Sequence, residues 1–383
     1  FYPEGIPIVE ERLFPEMIAN EAIDTVVFSY SDVPHSYVMH RASEALAAGA
    51  DFKLLGWRET MIASSRPVIA VCAVRTGCGK SQTTRYIARL LKSLNKKVVV
   101  IRHPMPYGNL KEQAVQRFAS FEDLEKHKCT IEEMEEYEPH IESGTVVYSG
   151  VDYGKILESA EKEADVILWD GGNNDLPFIK PDLHITVVDP LRPGHELLYH
   201  PGETNFLMAD VIVINKVDSA SKEQISEVLE NCKKHNPRAA VFQAESKVEF
   251  GGDVSLKGKK VLVVEDGPTL THGEMTFGAG VVAARRLGAE VLVDPRESAK
   301  GSIVDTFKKY PHIGNLLPAM GYSAAQVREL EETINKTPCD FVVIGTPIDL
   351  SRLIEIKKPF ARVKYSLKLK NEGDFNRLIA DAV

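Results

Sequence analysis

The sequence is poor in cysteine. Its 383 residues hold five, at positions 72, 78, 129, 232 and 339, odd in number and never spaced C-x-x-C. That excludes a disulfide framework and a cysteine zinc site, and it makes a reducing cytoplasm the natural compartment. No apolar run approaches the roughly 18 residues of a membrane span, and no signal-peptide pattern opens the chain. Basic residues are in deficit, 46 Lys plus Arg against 55 Asp plus Glu, for a formal net charge of −9. A nucleic-acid coat needs a basic face, so that class is excluded. Small anionic ligands are not, because a cationic pocket can sit inside an acidic protein. With 44% hydrophobic and 26% charged residues, the composition is that of a soluble globular protein with two to three domains' worth of chain.

Apolar strands alternate with amphipathic helices throughout, which predicts an α/β protein with mostly parallel sheets. Residues 1–63 contain a strand at Thr25–Tyr30, a helix near Tyr37–Ala48 and a strand at Phe52–Leu55. That is too little to cover two faces of a sheet. With Phe1 rather than methionine at the start, the segment reads as the remainder of an N-terminal Rossmann-like domain begun upstream. A second domain spans 66–250, with strands expected at Val68–Ala73, Lys97–Ile101, Asp165–Trp169, Leu183–Val188, Val211–Ile214 and Ala239–Phe242. The Gly251-Gly252-Asp253 segment marks a boundary, and a C-terminal α/β unit follows over 258–370. Its last strand, Val363–Leu369, alternates like an edge strand, and 371–383 reads as a tail.

The most informative stretch is Arg75-Thr76-Gly77-Cys78-Gly79-Lys80-Ser81-Gln82, between a buried strand and the helical pattern Tyr86–Leu94. Such a turn aims successive backbone N–H groups and a helix N-terminus at phosphate oxygens. Lys80 is placed to reach the β- and γ-phosphates, and the Ser81 hydroxyl to complete a magnesium site. Gly77 and Gly79 let the backbone approach the phosphates closely. Val74 stands where the standard motif has glycine, so the loop resembles the deviant K-G-G-x-G-K-[ST] form, with Arg75 at the place of its second lysine. An acidic residue at a strand end should hold magnesium through water. Asp170 fits, followed by the polar loop Gly171-Gly172-Asn173-Asn174-Asp175.

Asn215-Lys216-Val217-Asp218 follows an apolar strand, as the guanine-reading N-K-x-D motif does, and Ala244 lies where a backbone amide would meet guanine O6. These residues favour GTP over ATP, since adenine offers no N1–H to Asp218. A second set points to an anionic acceptor. Between Arg75 and Arg117 the chain carries ten Lys or Arg, Arg85 among them, and one acid. Arg102 and His103 open a stiff Pro-containing loop at the carboxyl edge of a strand, where ligands of open α/β sheets bind. Arg192, His195 and His200 sit on another such loop. His195-Glu196 lacks the second histidine of H-E-x-x-H, because Tyr199 stands there, so a zincin is excluded. The acidic run Glu132–Glu138 reads as a solvated helix face or a cover loop rather than a catalytic cluster. Glu265-Asp266-Gly267-Pro268-Thr269 reads equally as an active-site loop or a capped turn.

The segments V-R-T-G-C-G-K-S-Q-T, I-R-H-P-M-P-Y-G, W-D-G-G-N-N-D-L-P-F, P-G-E-T-N, I-N-K-V-D and V-E-D-G-P-T-L-T-H-G resemble, across essentially the whole chain, a family of predicted P-loop GTPases labelled cyclic 2,3-diphosphoglycerate synthetase or synthetase-like. The resemblance also places the domain with the P-loop subclass of dethiobiotin synthetase and the nickel-insertion GTPases. It implies a magnesium-dependent enzyme that uses ATP or GTP to phosphorylate or activate a small anionic metabolite, such as 2,3-bisphosphoglycerate. Lys80, Asp170, Arg75, Arg102 and His103 would then carry the chemistry. Thr76 to Gln82, with Asn215, Lys216, Asp218 and Ala244, would bind the nucleotide, with Ser81 and Asp170 at the metal. Arg102, His103, Arg117, Asn173, Asn174, Asp175, Arg192, His195 and His200 would face the acceptor. No nucleic-acid or membrane partner is implied. The alternative is a homodimeric GTPase switch, in which Arg75 reaches the neighbouring subunit's phosphates.

Overall fold

A computed structural model gives the structure of the protein and describes residues 6–105, 109–172, 175–250, 254–320 and 323–383. The first strands are β1 (Thr25–Val27), β2 (Val33–Pro34) and β3 (Asp51–Lys53). The central run comprises β4 (Val68–Ala73), β5 (Val98–Ile101), β6 (Gln116–Phe118), β7 (Val146–Ser149), β8 (Val166–Trp169), β9 (Leu183–Val188), β10 (Tyr199–His200), β11 (Val211–Ile214) and β12 (Ala240–Phe250). The last are β13 (Lys260–Asp266), β14 (Val291–Leu292), β15 (Leu317–Ala319), β16 (Phe341–Ile344) and β17 (Phe360–Leu369).

Thirteen of these strands form one sheet in the order β14-β13-β16-β17-β12-β11-β9-β4-β8-β5-β7-β6, with β15 beside β13. All pairs are parallel except β12 with β17 and β6 with β7. The chain is thus α/β with a large, mostly parallel sheet. Continuous apolar runs such as Val68–Ala73 form its centre because helices cover both faces. Ile69, Val71 and Ala73 enter one core and Val68, Ala70 and Cys72 the other, as the two-residue period of a strand requires.

Two expectations change. The strand beginning near Ala239 does not stop at Phe242 but runs to Phe250, pairing Ala244 with Leu369 and Phe250 with Val363. Residues 363–369 pair along their length with β12, and 360–362 pair with β16, so β17 stands between those strands in the sheet order and joins the nucleotide-loop unit to the C-terminal unit. Residues 371–383 are not a free tail, since Glu372–Asp381 is a helix whose buried Phe375 packs on Tyr86 and Phe242. The boundary glycines 251 and 252 lie outside the described residues.

Among the described residues, the N-terminal segment has the two-stranded β1–β3 sheet and a small core around Ile18, Ala45 and Ala50. It is tied to the rest by β2 pairing with β10. Among the described residues no helix is long and apolar enough to cross a membrane.

Candidate active site

The carboxyl ends of β4, β8 and β13 open into a cavity of about 510 Å³, roofed by the C-terminal unit and by Ser29–Ser31. The loop from β4 to the helix Lys80–Ser93 forms its floor. Gly77 (φ +82°) and Gly79 (φ +105°) adopt the left-handed region, and a Cβ on Gly79 would collide with the Asn215 side chain. Thr76, Gly77, Gly79, Lys80, Ser81 and Gln82 are brought together here. Cys78 is buried beneath the loop.

Lys80 Nζ donates to Asp170 O (2.5 Å), Asp170 Oδ1 (3.0 Å) and Gly171 O (3.0 Å). Burial, reinforced by Arg102, lowers its pKa to about 8 despite the carboxylate beside it. Asp170 is fully buried at the end of β8. Its Oδ1 also accepts from Thr84 (2.7 Å), and its Oδ2 meets Arg102 (2.7 Å) and His140 (2.9 Å). Burial alone would raise this carboxyl, but Arg102 and Lys80 outweigh it and hold it well below the usual range. Arg102 also pairs with Glu136. His103 pairs with Asp175 (2.9 Å) at the cavity edge. Asn173 and Asn174 lie outside the described residues.

A magnesium ion fits this donor set in one way. Among the described residues no three His, Cys, Asp or Glu converge as a protein cage, so phosphate oxygens and water would supply most ligands. Ser81 Oγ would be the protein ligand. Asp170 would stand behind it and hold metal-bound water.

Asn215 and Lys216 brace the loop from below. Asn215 Nδ2 donates to Cys78 O (2.9 Å), and Lys216 Nζ donates to Gly77 O (2.6 Å) and Asp189 (2.8 Å). Asp218 accepts from Ser246 N (3.0 Å) and from Arg286 of the C-terminal unit (2.7 Å), so its carboxylate is already occupied. Ala244 carries the strand beside it, its carbonyl accepting from Val217 N.

Several expected acceptor residues sit elsewhere. Arg192 is buried under the loop, donating to Thr76 O (2.9 Å), Gly273 O (2.7 Å) and Asp189 (3.0 Å). Arg117 is on the outer edge, locked to Glu163 by two 2.8 Å bonds. His200 packs on Phe28, away from the cavity. His195 meets Arg75 (2.9 Å), and burial lowers its pKa to about 4. Arg75 itself is 1% exposed. It holds Asp32 (2.6 Å) and Glu274 (3.2 Å) and lies over the Tyr199 ring. Its charge is spent inside this chain rather than presented to a neighbour.

The largest correction concerns the helix Ile131–Glu142. Glu132, Glu135 and Glu138 are buried, not solvated, and Glu132, Glu135 and Glu136 line the cavity. Glu265 and Asp266 line it from β13. Asp266 caps a helix through Thr269 N (3.1 Å), as the capped-turn reading of that loop expected. Asp32, which accepts from Thr76 N (3.2 Å) and Thr76 Oγ1 (2.5 Å), carried no motif in the sequence. The i, i+3, i+4 spacing of Glu132, Glu135 and Glu136 was the available signal for one shared face.

This fold and this site define a nucleotide-using enzyme built on a P-loop domain. The CobW/HypB/UreG nucleotide-binding domain matches residues 163–243. Arginine synthetase ArcE of Thermococcus kodakarensis is 61% identical over 367 residues, 96% of this chain and 82% of that protein. The chain belongs to the family of that synthetase. A cyclic 2,3-diphosphoglycerate synthetase of Thermococcus sibiricus is 25% identical over 241 residues, covering 57% of this chain and 54% of its own length. That likeness is narrower than the whole-chain one the motifs implied. LpxK of Aquifex aeolicus in complex with ATP shares the fold, at 12% identity and a TM-score of 0.52 over 91% of this chain and 95% of that one.

Proposed function

We propose that the protein is a magnesium-dependent synthetase that uses ATP to build the guanidino group of arginine from a ureido amino acid and ammonia. The observation that carries this reading is the mixed charge of the cavity. Lys80 and the backbone amides of the loop would serve the phosphates, and Glu132, Glu135, Glu136, Glu265 and Asp266 line the same cavity. The family's arginine synthetase supplies the product class.

The chemistry follows from charge. The ureido oxygen attacks the γ-phosphorus as the bond to the β-phosphate oxygen breaks, leaving ADP and an O-phosphorylated isourea. Ammonia then attacks the isourea carbon and the C–O bond breaks, releasing phosphate and a guanidinium. With ammonium as the nitrogen source, one proton is released. Lys80 and the loop amides offset the charge on the transferring group. The acidic wall stabilises positive charge as the guanidinium forms. Bound magnesium would neutralise phosphate oxygens.

The other readings gain less. A 2,3-bisphosphoglycerate acceptor would meet six acidic side chains in the cavity lining, and four of the five Lys or Arg there are already paired with carboxylates. A dimeric switch relying on Arg75 meets a side chain engaged by Asp32 and Tyr199. ATP is proposed over GTP because Asp218 is occupied by Ser246 and Arg286. The test incubates the chain with magnesium, ATP or GTP, and either citrulline with ammonium or 2,3-bisphosphoglycerate. Arginine, ADP and phosphate in equal amounts are expected from the first mixture. Nucleotide consumption that requires 2,3-bisphosphoglycerate and yields no arginine refutes the proposal.

A further inference from the structure

Five lysine or arginine side chains line the cavity: Arg75, Lys80, Arg85, Arg102 and Lys216. Four are met by carboxylates: Arg75 by Asp32, Lys80 by Asp170, Arg102 by Asp170 and Glu136, and Lys216 by Asp189. Arg85 has no carboxylate partner among the described residues. Its guanidinium lies over the Tyr365 ring, 5.6 Å from the centroid. A partly buried cation that lies on an aromatic ring with no carboxylate bonded to it keeps its capacity for two charge-assisted hydrogen bonds to a carboxylate.

Tyr365 shows what faces Arg85. Burial first, then Asp266, Glu135 and Glu265, push the phenol up to about 12, while Arg85 pulls it down. One ring is thus flanked by a lone guanidinium and by three carboxyl groups within a single cavity. Glu135 accepts from Thr346 (2.7 Å), and Asp266 accepts from Thr269 N (3.1 Å). Glu265 is anchored by the N–H groups of Gly278 (3.1 Å), Gly280 (3.2 Å) and Val281 (2.8 Å). The acidic side is therefore held in place while the cationic side is free. Such a pair of walls fits a ligand that carries both signs.

Arg85 also follows Ser81 by four residues on the helix Lys80–Ser93, so the two share a face. One turn is about 5.4 Å, comparable to the aliphatic stem that separates the α-carboxylate of a ureido amino acid from its reacting end. We infer that Arg85 binds the α-carboxylate of the acceptor amino acid, and that the carboxyl groups across Tyr365 receive its cationic groups. The cavity thereby selects a zwitterion over a polyanion or a simple amine. This inference rests on the reading proposed above and names the residue that makes it selective for an amino acid.

The test is calorimetric titration of the full chain with arginine and with agmatine, its decarboxylated form. Wild type binds arginine about tenfold to a hundredfold more tightly, the worth of a charge-assisted pair. Arg85→Met binds the two alike, and Arg85→Lys keeps part of the preference. Arg89→Met removes the same charge one turn further on, outside this cavity, and keeps the wild-type ratio. In turnover, Arg85→Met raises KM for citrulline and leaves KM for ATP within about twofold. A wild type without preference overturns the assignment, and that result needs no variant. So does an Arg85→Met protein that still prefers arginine, or one whose KM rises for ATP instead. A chain that prefers arginine through Arg85 yet makes none from citrulline, ammonium and ATP refutes the reaction and leaves the site standing.

Discussion

At the scale of single residues, burial decides what a charged or titratable side chain can do. His184 lies within β9 and is 3% exposed. Burial lowers its pKa from 6.5 to about 4, against the opposing pull of Asp210. The unfolded chain therefore binds a proton between those values that the folded chain refuses. Stability is complete above pH 6.5 and is lost as pH falls towards 4, by up to about 3 kcal/mol. Replacing His184 with glutamine should flatten that part of the profile, measured as urea midpoints at pH 7.0 and 4.5. An unchanged difference between the two pH values would remove His184 from the account. His195, also lowered to about 4, contributes less because it is only half-buried. The same principle governs how much of the site was legible. Lys80 and Ser81 could be placed from sequence because a strand-to-helix turn fixes them locally, and Asp170 because it ends an apolar strand. Arg192, Arg117 and Arg75 could not, because Asp189, Glu163 and Asp32 claim their charges and only tertiary packing reveals those partners.

At the scale of elements, the loop between β4 and the helix Lys80–Ser93 is set by two glycines and by the residues that brace it. Gly79 combines a φ of +105° with contact against the side chains of Asn215 and Gln82. Gly79→Ala therefore meets both backbone strain, about 1–2 kcal/mol, and a collision with the side chain that holds Cys78 O. It should weaken ATP binding at least about a hundredfold, a loss of roughly 2.7 kcal/mol. Gly144 provides the comparison, since its φ is +67° but a Cβ would meet only the end of Lys92, at 4.0 Å. Gly144→Ala should cost about 1–2 kcal/mol of stability and leave ATP affinity unchanged, with fluorescent-nucleotide titration and thermal melting as the paired measurements. Equal ATP affinities for the two variants would show that the brace is unimportant. Most strand positions were legible because continuous apolar runs are ambiguous only between helix and strand, and their length arbitrates. The helix Ile131–Glu142 was not. Its acids look solvated in one dimension, and Thr346 and Arg352 of the C-terminal unit close over Glu135 and Glu138.

At the scale of the molecule, the junction of β12 and β17 turns two expected domains into one sheet. The reading of residues 363–369 as an edge followed from their alternation, but alternation reports only that the two faces differ, not which strand lies alongside. Beyond β17 the chain returns to the nucleotide-loop unit. Phe375 is fully buried, 6.0 Å from the Tyr86 ring and 5.2 Å from the Phe242 ring between centroids, and Tyr86 Oη donates to Asn376 (2.7 Å) and Glu372 (3.0 Å). Tyr86 belongs to the helix that begins at Lys80, so the last helix of the chain supports the element that presents the phosphate loop. Phe375→Ala leaves a cavity against that helix and should cost about 3–5 kcal/mol. If the sheet unfolds as a unit, calorimetry should show the transition carrying the nucleotide-loop unit moving down by several degrees, with bound ATP raising it again by linkage. A separate C-terminal transition that shifts alone, with the ATP-stabilised transition where it was, would mean that β12 and β17 join two independent domains rather than one.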